Sequence, residues 1–248
     1  MNFKEVIAPK VNKLLGRAMH DFKMLEDGDR VLLGLSGGVD SMVLAWILQE
    51  WQKKAPIAYD VQCITVDNEY WKDSPHAFPP EKSIGSQMKT LGISHKVVKA
   101  WDLSREEMTC YLCARNRRNL LFDIAKKEGF TKIALGHHKD DLLETFMLNI
   151  IYSGNISTMM PHQRLFDDSI GIIRPMAYLE KTDVIKVAEK IGIKPVKNYC
   201  PLSDDTRREK VRSILENIYT QEPEAKRSLF ASLSNVREEY MLPSDIFK

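Results

Sequence analysis

Apolar residues fall along most of the chain in two alternating kinds of run. Short runs of strand length lie at Val31–Leu35, Val61–Asp67, His95–Val98, Lys132–Gly136 and Gly171–Arg174. Between them the apolar positions take helical spacing. Leu14, Leu15, Ala18, Phe22 and Leu25 share one face of a helix expected over Val11–Leu25, and Met42–Lys53 continues an apolar run in helix-forming residues. Further helices are expected over Glu81–Leu91, Cys113–Glu128, Asp140–Tyr152, Lys181–Ile191 and Thr206–Tyr219, with Gly92 and Gly129 closing the first two of these. Asp73–Pro80, with three prolines, reads as a loop, and Trp101–Thr109 as an irregular connector.

Strands alternating with helices from Val31 to Tyr152 predict an α/β fold, a parallel sheet with helices on both faces. Ligands of such sheets bind beyond the carboxyl ends of the strands. Ser36, Val66 and Gly136 all fall on that edge. The expected organisation is an N-terminal helix over 1–28, a sheet domain over 29–178 and a C-terminal helical part over 179–248. Met159-Met160-Pro161 and Glu222-Pro223 are the natural points at which the sheet gives way to C-terminal helices.

Composition narrows the class. With 248 residues, 44% hydrophobic and 28% charged, the chain suits one sizeable globular domain and excludes a disordered one. A formal net charge of only +2 requires any nucleic-acid contact to rest on local basic patches. Met1–Lys13 lacks the apolar core of a signal peptide and no run reaches membrane-spanning length, so a cytoplasmic protein without a membrane partner is expected. Four cysteines in a chain this long do not make a secreted disulfide framework, and Cys110-x-x-Cys113 in a cytosolic protein suggests metal or redox chemistry.

Chemistry concentrates first at Leu35-Ser36-Gly37-Gly38-Val39-Asp40-Ser41, between a strand and a helix. Paired glycines let backbone N–H groups approach a phosphate, and a helix N-terminus adds partial positive charge. The alternative is an ordinary strand-to-helix turn with Ser36 or Asp40 as N-cap. Neither GxxxxGK[ST] nor GxGxxG is present. The hexapeptide instead resembles the SGGxDS loop of the PP-loop ATP pyrophosphatases, which cleave ATP between its α and β phosphates. Asp40 beside a polyphosphate would be repulsive without an intervening Mg²⁺, so it is a candidate metal ligand.

A second polar stretch, Gly136-His137-His138-Lys139-Asp140-Asp141, also follows a strand and opens a helix. Asp141 and Glu144 have capping-box spacing, which leaves Gly136, His137 and His138 unexplained. A nucleotide site needs a close-approach backbone there and a carboxylate, for which Asp141 is the candidate. Cys110, Cys113 and Cys200 lie in loops or at a helix entry, whereas Cys63 lies mid-strand, where a free cysteine is usually a small buried hydrophobe. Structural zinc and iron–sulfur clusters usually take four ligands, and Cys-x-x-Cys alone fits a redox disulfide or a chance pair as well.

Taken together these residues resemble the tRNA 2-thiocytidine synthetase (tRNA-cytidine 2-sulfurtransferase) family of PP-loop enzymes. The likeness covers Ala18–Leu48, Cys110–Arg118, Lys132–Asp141, Ile173–Tyr178 and the region of Cys200. Val39 stands where that family usually has Lys, and Tyr199 and Pro201-Leu202-Ser203 depart from its pattern around the third cysteine. The resemblance implies ATP held by Leu35, Ser36, Gly37, Gly38, Asp40, Ser41, Val66, Gly136 and His137, with Asp40 and Asp141 in catalysis through Mg²⁺. It implies a [4Fe-4S] cluster on Cys110, Cys113 and Cys200, leaving one iron open to carry sulfur. The implied reaction is adenylation of a pyrimidine C2 oxygen, at cytidine 32 of tRNA, followed by displacement of AMP by sulfur. The sulfur donor would be a cysteine desulfurase or sulfide, and a homodimer is an expected assembly.

Arg115, Arg117 and Arg118 follow Cys113, and Arg207, Arg208, Lys210 and Arg212 follow Cys200. Cations at a helix N-terminus are unfavourable and need an outside reason. A solvated face with partners such as Asp123 supplies one; a tRNA backbone led toward the cluster supplies another. Rival functions are a different PP-loop reaction (thiolation of another base, lysidine-type tRNA modification or small-molecule amidation) and a nucleotide or iron–sulfur sensor without turnover.

Overall fold

Pleat alternation decides which side chains meet which helices. In the computed structural model, which describes residues 3–74, 77–102, 109–197, 199 and 207–242, the elements run α1 (Phe3–Val6), α2 (Pro9–Asp21), β1 (Asp29–Gly34), α3 (Val39–Gln52), β2 (Tyr59–Asp67), α4 (Pro80–Thr90), β3 (His95–Lys99), α5 (Cys110–Glu128), β4 (Lys132–Ala134), α6 (Lys139–Ser153), β5 (His162–Leu165), β6 (Ile170–Ile173), α7 (Lys181–Ile191), α8 (Arg207–Gln221) and α9 (Ala225–Ser232). The sheet order is β3-β2-β1-β4-β6-β5, parallel except for the antiparallel β5 at one edge. Val31, Leu33 and Cys63 face one side with Met42, Leu44 and Leu48 of α3 and Val184 and Val187 of α7. Leu32, Ile64 and Ile133 face the other side with Leu121 and Ala125 of α5. Helices therefore cover both faces, the α/β arrangement that the hydrophobic pattern implies.

The order of the strands places the chemistry. The chain leaves β1 toward β2 and β3, then returns to the opposite side of β1 at β4. Such a reversal opens a crevice beyond the carboxyl ends of the two central strands. Helix α3 starts there, and its residues Ser41 to Leu48 are all buried, as befits a helix that is apolar on every side.

The chain divides into two compact units, Met1–Asp140 with Met160–Asp204, and Asp141–Met159 with Asp205–Lys248. The first holds the sheet and the cores on its two faces. The second has its own small core of Leu143, Val211 and Leu215, packed by Met147, Leu148, Tyr219, Leu229 and Phe230. No helix among the described residues is long and apolar enough to cross a membrane.

Several elements differ from the sequence reading. Strand β5 has no alternating pattern, because an edge strand of His-Gln-Arg-Leu is created by pairing with β6. Helix α2 begins at Pro9, whose fixed φ suits a first turn, and stops at Asp21 rather than Leu25, since Lys23 turns to a positive φ of 45°. Helix α5 starts at Cys110, not Cys113, because Thr109 caps it by accepting the Leu112 N–H at 3.1 Å. Strand β4 stops at Ala134, two residues before Gly136. The short α1 and α9 were not expected.

Candidate active site

The loop after β1 is tied by one hydroxyl. Ser41 Oγ accepts the Ser36 N–H at 3.1 Å, donates to Gly38 O at 3.0 Å and lies 3.2 Å from Ser36 Oγ. Upstream, Leu35 N–H donates to Ile64 O at 2.7 Å and extends the ladder with β2 into the loop. Gly37 has φ +82°, a left-handed conformation, and its carbonyl accepts the Val196 N–H at 2.9 Å. Gly38 is the N-cap of α3, and no side chain caps that helix, so the turn with Ser36 or Asp40 as cap is not what forms. The first-turn N–H groups of α3 are thus left at the crevice, which is what an anion cradle requires.

Gly136 closes the cradle from β4. A Cβ there would lie 2.8 Å from Ser41 N and 2.9 Å from both Asp40 C and Ser41 Cα. Only glycine lets this segment rest against the start of α3. Val66, at the end of β2, packs into the core on the α5 side. His137 Nδ1 accepts the Nε–H of Arg174 at 3.1 Å, which fixes the neutral imidazole with its proton on Nε2. Arg174 is buried, also donates to Met160 O, and burial pushes its pKa down to about 10.

Charges converge around Asp40. Both of its carboxylate oxygens accept from Lys181 Nζ, at 2.6 and 2.8 Å. The buried His138 places Nε2 3.6 Å from Asp40 Oδ1 and Nδ1 3.5 Å from Asp140 Oδ2. Asp140 Oδ2 accepts the backbone N–H of Lys181 at 2.8 Å, which pins the start of α7 to the start of α6. A carboxylate beside a phosphate cradle fits Mg²⁺, which is commonly held by one or two carboxylates plus substrate phosphates. Asp40 would be the first of these ligands.

Some expected residues stand elsewhere. Asp141 belongs to the second unit, where it adds to the negative surroundings of Arg212. Glu144 is no capping residue, since α6 starts at Lys139; it is a buried carboxylate held by Arg212 (Nε to Oε1 2.7 Å) and Arg208 (Nε to Oε2 3.5 Å). Arg208 also donates to Thr145 Oγ1 at 3.2 Å, and Arg207 lies over the Tyr152 ring at 4.9 Å. Arg115, Arg117 and Arg118 are exposed on α5, while Asp123 pairs with Lys127 at 2.8 Å.

Positions 110 and 113 share one face of the first turn of α5. Cys113 is a buried free thiol, with Tyr70 Oη 3.4 Å from its Sγ. Two bonds to Asp67, from Glu69 N–H at 2.7 Å and Trp71 Nε1–H at 3.1 Å, hold the turn that presents Tyr70. Cys200 lies outside the described residues, and so does the side chain of Cys110. Among the described residues no three His, Cys, Asp or Glu are grouped to hold a metal ion. A buried soft donor at a helix N-terminus fits iron–sulfur ligation. Cys63 does not: burial in the sheet core pushes its pKa up to about 12, which keeps it a neutral thiol.

Sequence reasoning singled out His138 with Gly136 and His137 but gave no role to Asp140, Arg174 or Lys181. The last was detectable, because a lysine at the first position of a helix opposes the dipole and requires an anion from elsewhere in the chain.

Comparison with known proteins agrees with this geometry. The PP-loop domain family matches residues 4–218. A tRNA-cytidine(32) 2-sulfurtransferase of Geobacter metallireducens is 32% identical over 96% of this chain and 93% of its own length. Another from Tolumonas auensis is 33% identical over 96% of this chain and 80% of its own. Among solved structures, the U34-tRNA thiolase NcsA from Methanococcus maripaludis, with its [4Fe-4S] cluster, superposes with TM-score 0.71 at 24% identity, covering 92% of this chain and 80% of that one. The last likeness establishes the fold. With relatives matching over 96% of this chain and the loop, glycine and carboxylate in place, the chain belongs to the tRNA-cytidine(32) 2-sulfurtransferase family of PP-loop enzymes.

Proposed function

We propose that the protein replaces the C2 oxygen of a tRNA cytidine, at position 32, by sulfur at the expense of ATP. The observation that carries this reading is the contact of Gly136 with Ser41 and Asp40, which seals an uncapped helix start into a phosphate cradle with a carboxylate beside it. The base oxygen attacks the α phosphate and the α–β bond breaks, releasing pyrophosphate. Sulfur then adds to C2, and the C2–O bond breaks to release AMP. The first-turn N–H groups of α3, from Val39 to Ser41, hold the pyrophosphate end, and Asp40 would hold Mg²⁺, which would supply charge neutralisation on the phosphates. His137, with its proton fixed on Nε2 by Arg174, is a neutral donor at the nucleotide edge of the site. Cys110, Cys113 and Cys200 hold a [4Fe-4S] cluster, which when bound supplies an iron site for the incoming sulfur, drawn from a cysteine desulfurase or sulfide. Arg115, Arg117, Arg118 and Arg207 guide the tRNA backbone, and Asp141 is the further carboxylate proposed for catalysis. The cytoplasm is the compartment proposed for the reaction.

The test is anaerobic incubation with ATP, Mg²⁺, sulfide and tRNA, reading pyrophosphate release and the nucleosides of digested tRNA. Wild type should form 2-thiocytidine, and Asp40→Asn should release no pyrophosphate. Pyrophosphate release that ignores tRNA, or sulfur found on a base other than cytidine, refutes the proposal.

A further inference from the structure

Asp40 is the carboxylate that would hold the metal, yet here both of its oxygens are occupied by one ammonium group, Lys181 Nζ at 2.6 and 2.8 Å. The loop from Ser36 to Ser41 contains no basic residue, with Val39 in its middle. A loop that binds a polyphosphate through backbone N–H groups alone has no cation of its own to set against the phosphate charge. Lys181 comes from a distant part of the sequence, at the first position of α7, and the dipole of that helix disfavours it there. Its backbone is not free to drift: the Lys181 N–H is held by Asp140 at 2.8 Å, and Leu179 O accepts the Lys139 N–H at 2.8 Å. Its side chain is 41% exposed, so the ammonium can swing while its root stays fixed. The buried His138 lies 3.6 Å from the same Oδ1, and the Asp40 side chain itself stays 28% exposed, so the carboxylate is open to an incoming metal.

We propose that Lys181 is the missing cation of the phosphate site and exchanges partners during binding. Without nucleotide it neutralises Asp40. When Mg²⁺ and the nucleotide arrive, the metal takes the carboxylate, and the displaced ammonium, still anchored beside the loop, takes a phosphate oxygen. Lys181 therefore competes with the metal in the free protein and assists the nucleotide in the complex. This rests on the ATP reading above, and it predicts effects of opposite sign on two ligands.

The test uses Lys181→Met, with Lys181→Gln as a second neutral variant and Lys181→Arg to restore charge. Mn²⁺ binding without nucleotide is followed by electron paramagnetic resonance, and binding of α,β-methylene-ATP with saturating Mg²⁺ by calorimetry. The neutral variants should bind Mn²⁺ more tightly than wild type and the nucleotide analogue about ten- to hundredfold more weakly, the value of one charge-assisted hydrogen bond. Lys181→Arg should recover most of the nucleotide affinity. Weakening of both ligands together in a folded variant would make Lys181 a scaffold residue and overturn the exchange. Unchanged nucleotide affinity would overturn it alone, whereas absence of nucleotide binding by wild type would overturn the ATP reading as well.

Discussion

Gly136→Ala is the sharpest test of how the cradle is built. The added methyl would meet Ser41 N at 2.8 Å and Asp40 C and Ser41 Cα at 2.9 Å, where ordinary contacts begin at 3.4 Å. All three atoms are backbone, so no rotamer change relieves the clash. The segment after β4 and the start of α3 must separate by roughly 0.5 Å, and forced overpacking of this kind costs about 1–3 kcal/mol. For a chain of this size that is a fall in melting temperature of about 2–12 °C. Misplacement of about 1 Å can cost a hundredfold in rate, so half of that predicts about a tenfold loss. Thermal unfolding reads the first effect, and the rate of pyrophosphate release together with nucleotide binding reads the second. Gly16→Ala is the control: its Cβ would sit 3.5 Å from Trp51 Cη2 within α2, and helix propensity predicts a gain of about 0.5–1 kcal/mol. If Gly136→Ala matched wild type in stability and binding, the close approach would not be what shapes the site.

Three further outcomes are expected. Replacing the exposed Arg117 and Arg118 by Ala should weaken tRNA binding and lower its log–log salt slope by about one unit per lost phosphate contact, measured by filter binding from low to moderate salt; an unchanged slope would return both to a solvated face. Cys113→Ser purified without oxygen should lose iron and visible absorption while Cys63→Ser retains both, and iron loss in Cys63→Ser would make the core thiol a ligand. His95 is half-buried against Thr65 Oγ1 at 2.8 Å, and burial lowers its pKa despite Glu81. The unfolded chain takes up a proton near pH 6.5 that the folded one resists, so stability should fall as pH drops below about 6.5 and level off below the folded pKa. Denaturant midpoints of wild type and His95→Gln between pH 7.5 and 5 should diverge in that window, and parallel curves would show that His95 titrates alike in both states.

The hydrophobic pattern by itself determined the parallel sheet, its two helical layers and the strand-end position of both polar loops. That follows because burial on both faces leaves strands as continuous apolar runs and helices as periodic ones, signals that survive without knowledge of contacts. Strand β5, by contrast, exists because β6 offers it an edge, and no local periodicity could announce that. The site divided in the same way. The glycines, Asp40 and Ser41 are adjacent in sequence and were legible as a loop. Lys181 reaches Asp40 across 141 positions of sequence, and His138 and Asp140 acquire their roles from that meeting. Glu144 had the spacing of a cap but became a buried anion, because Arg208 and Arg212 arrive from α8 to neutralise it. A charge carries no record in the sequence of which opposite charge it will meet. Only the packing of α7 against α3 decided that the loop's carboxylate would rest on a lysine.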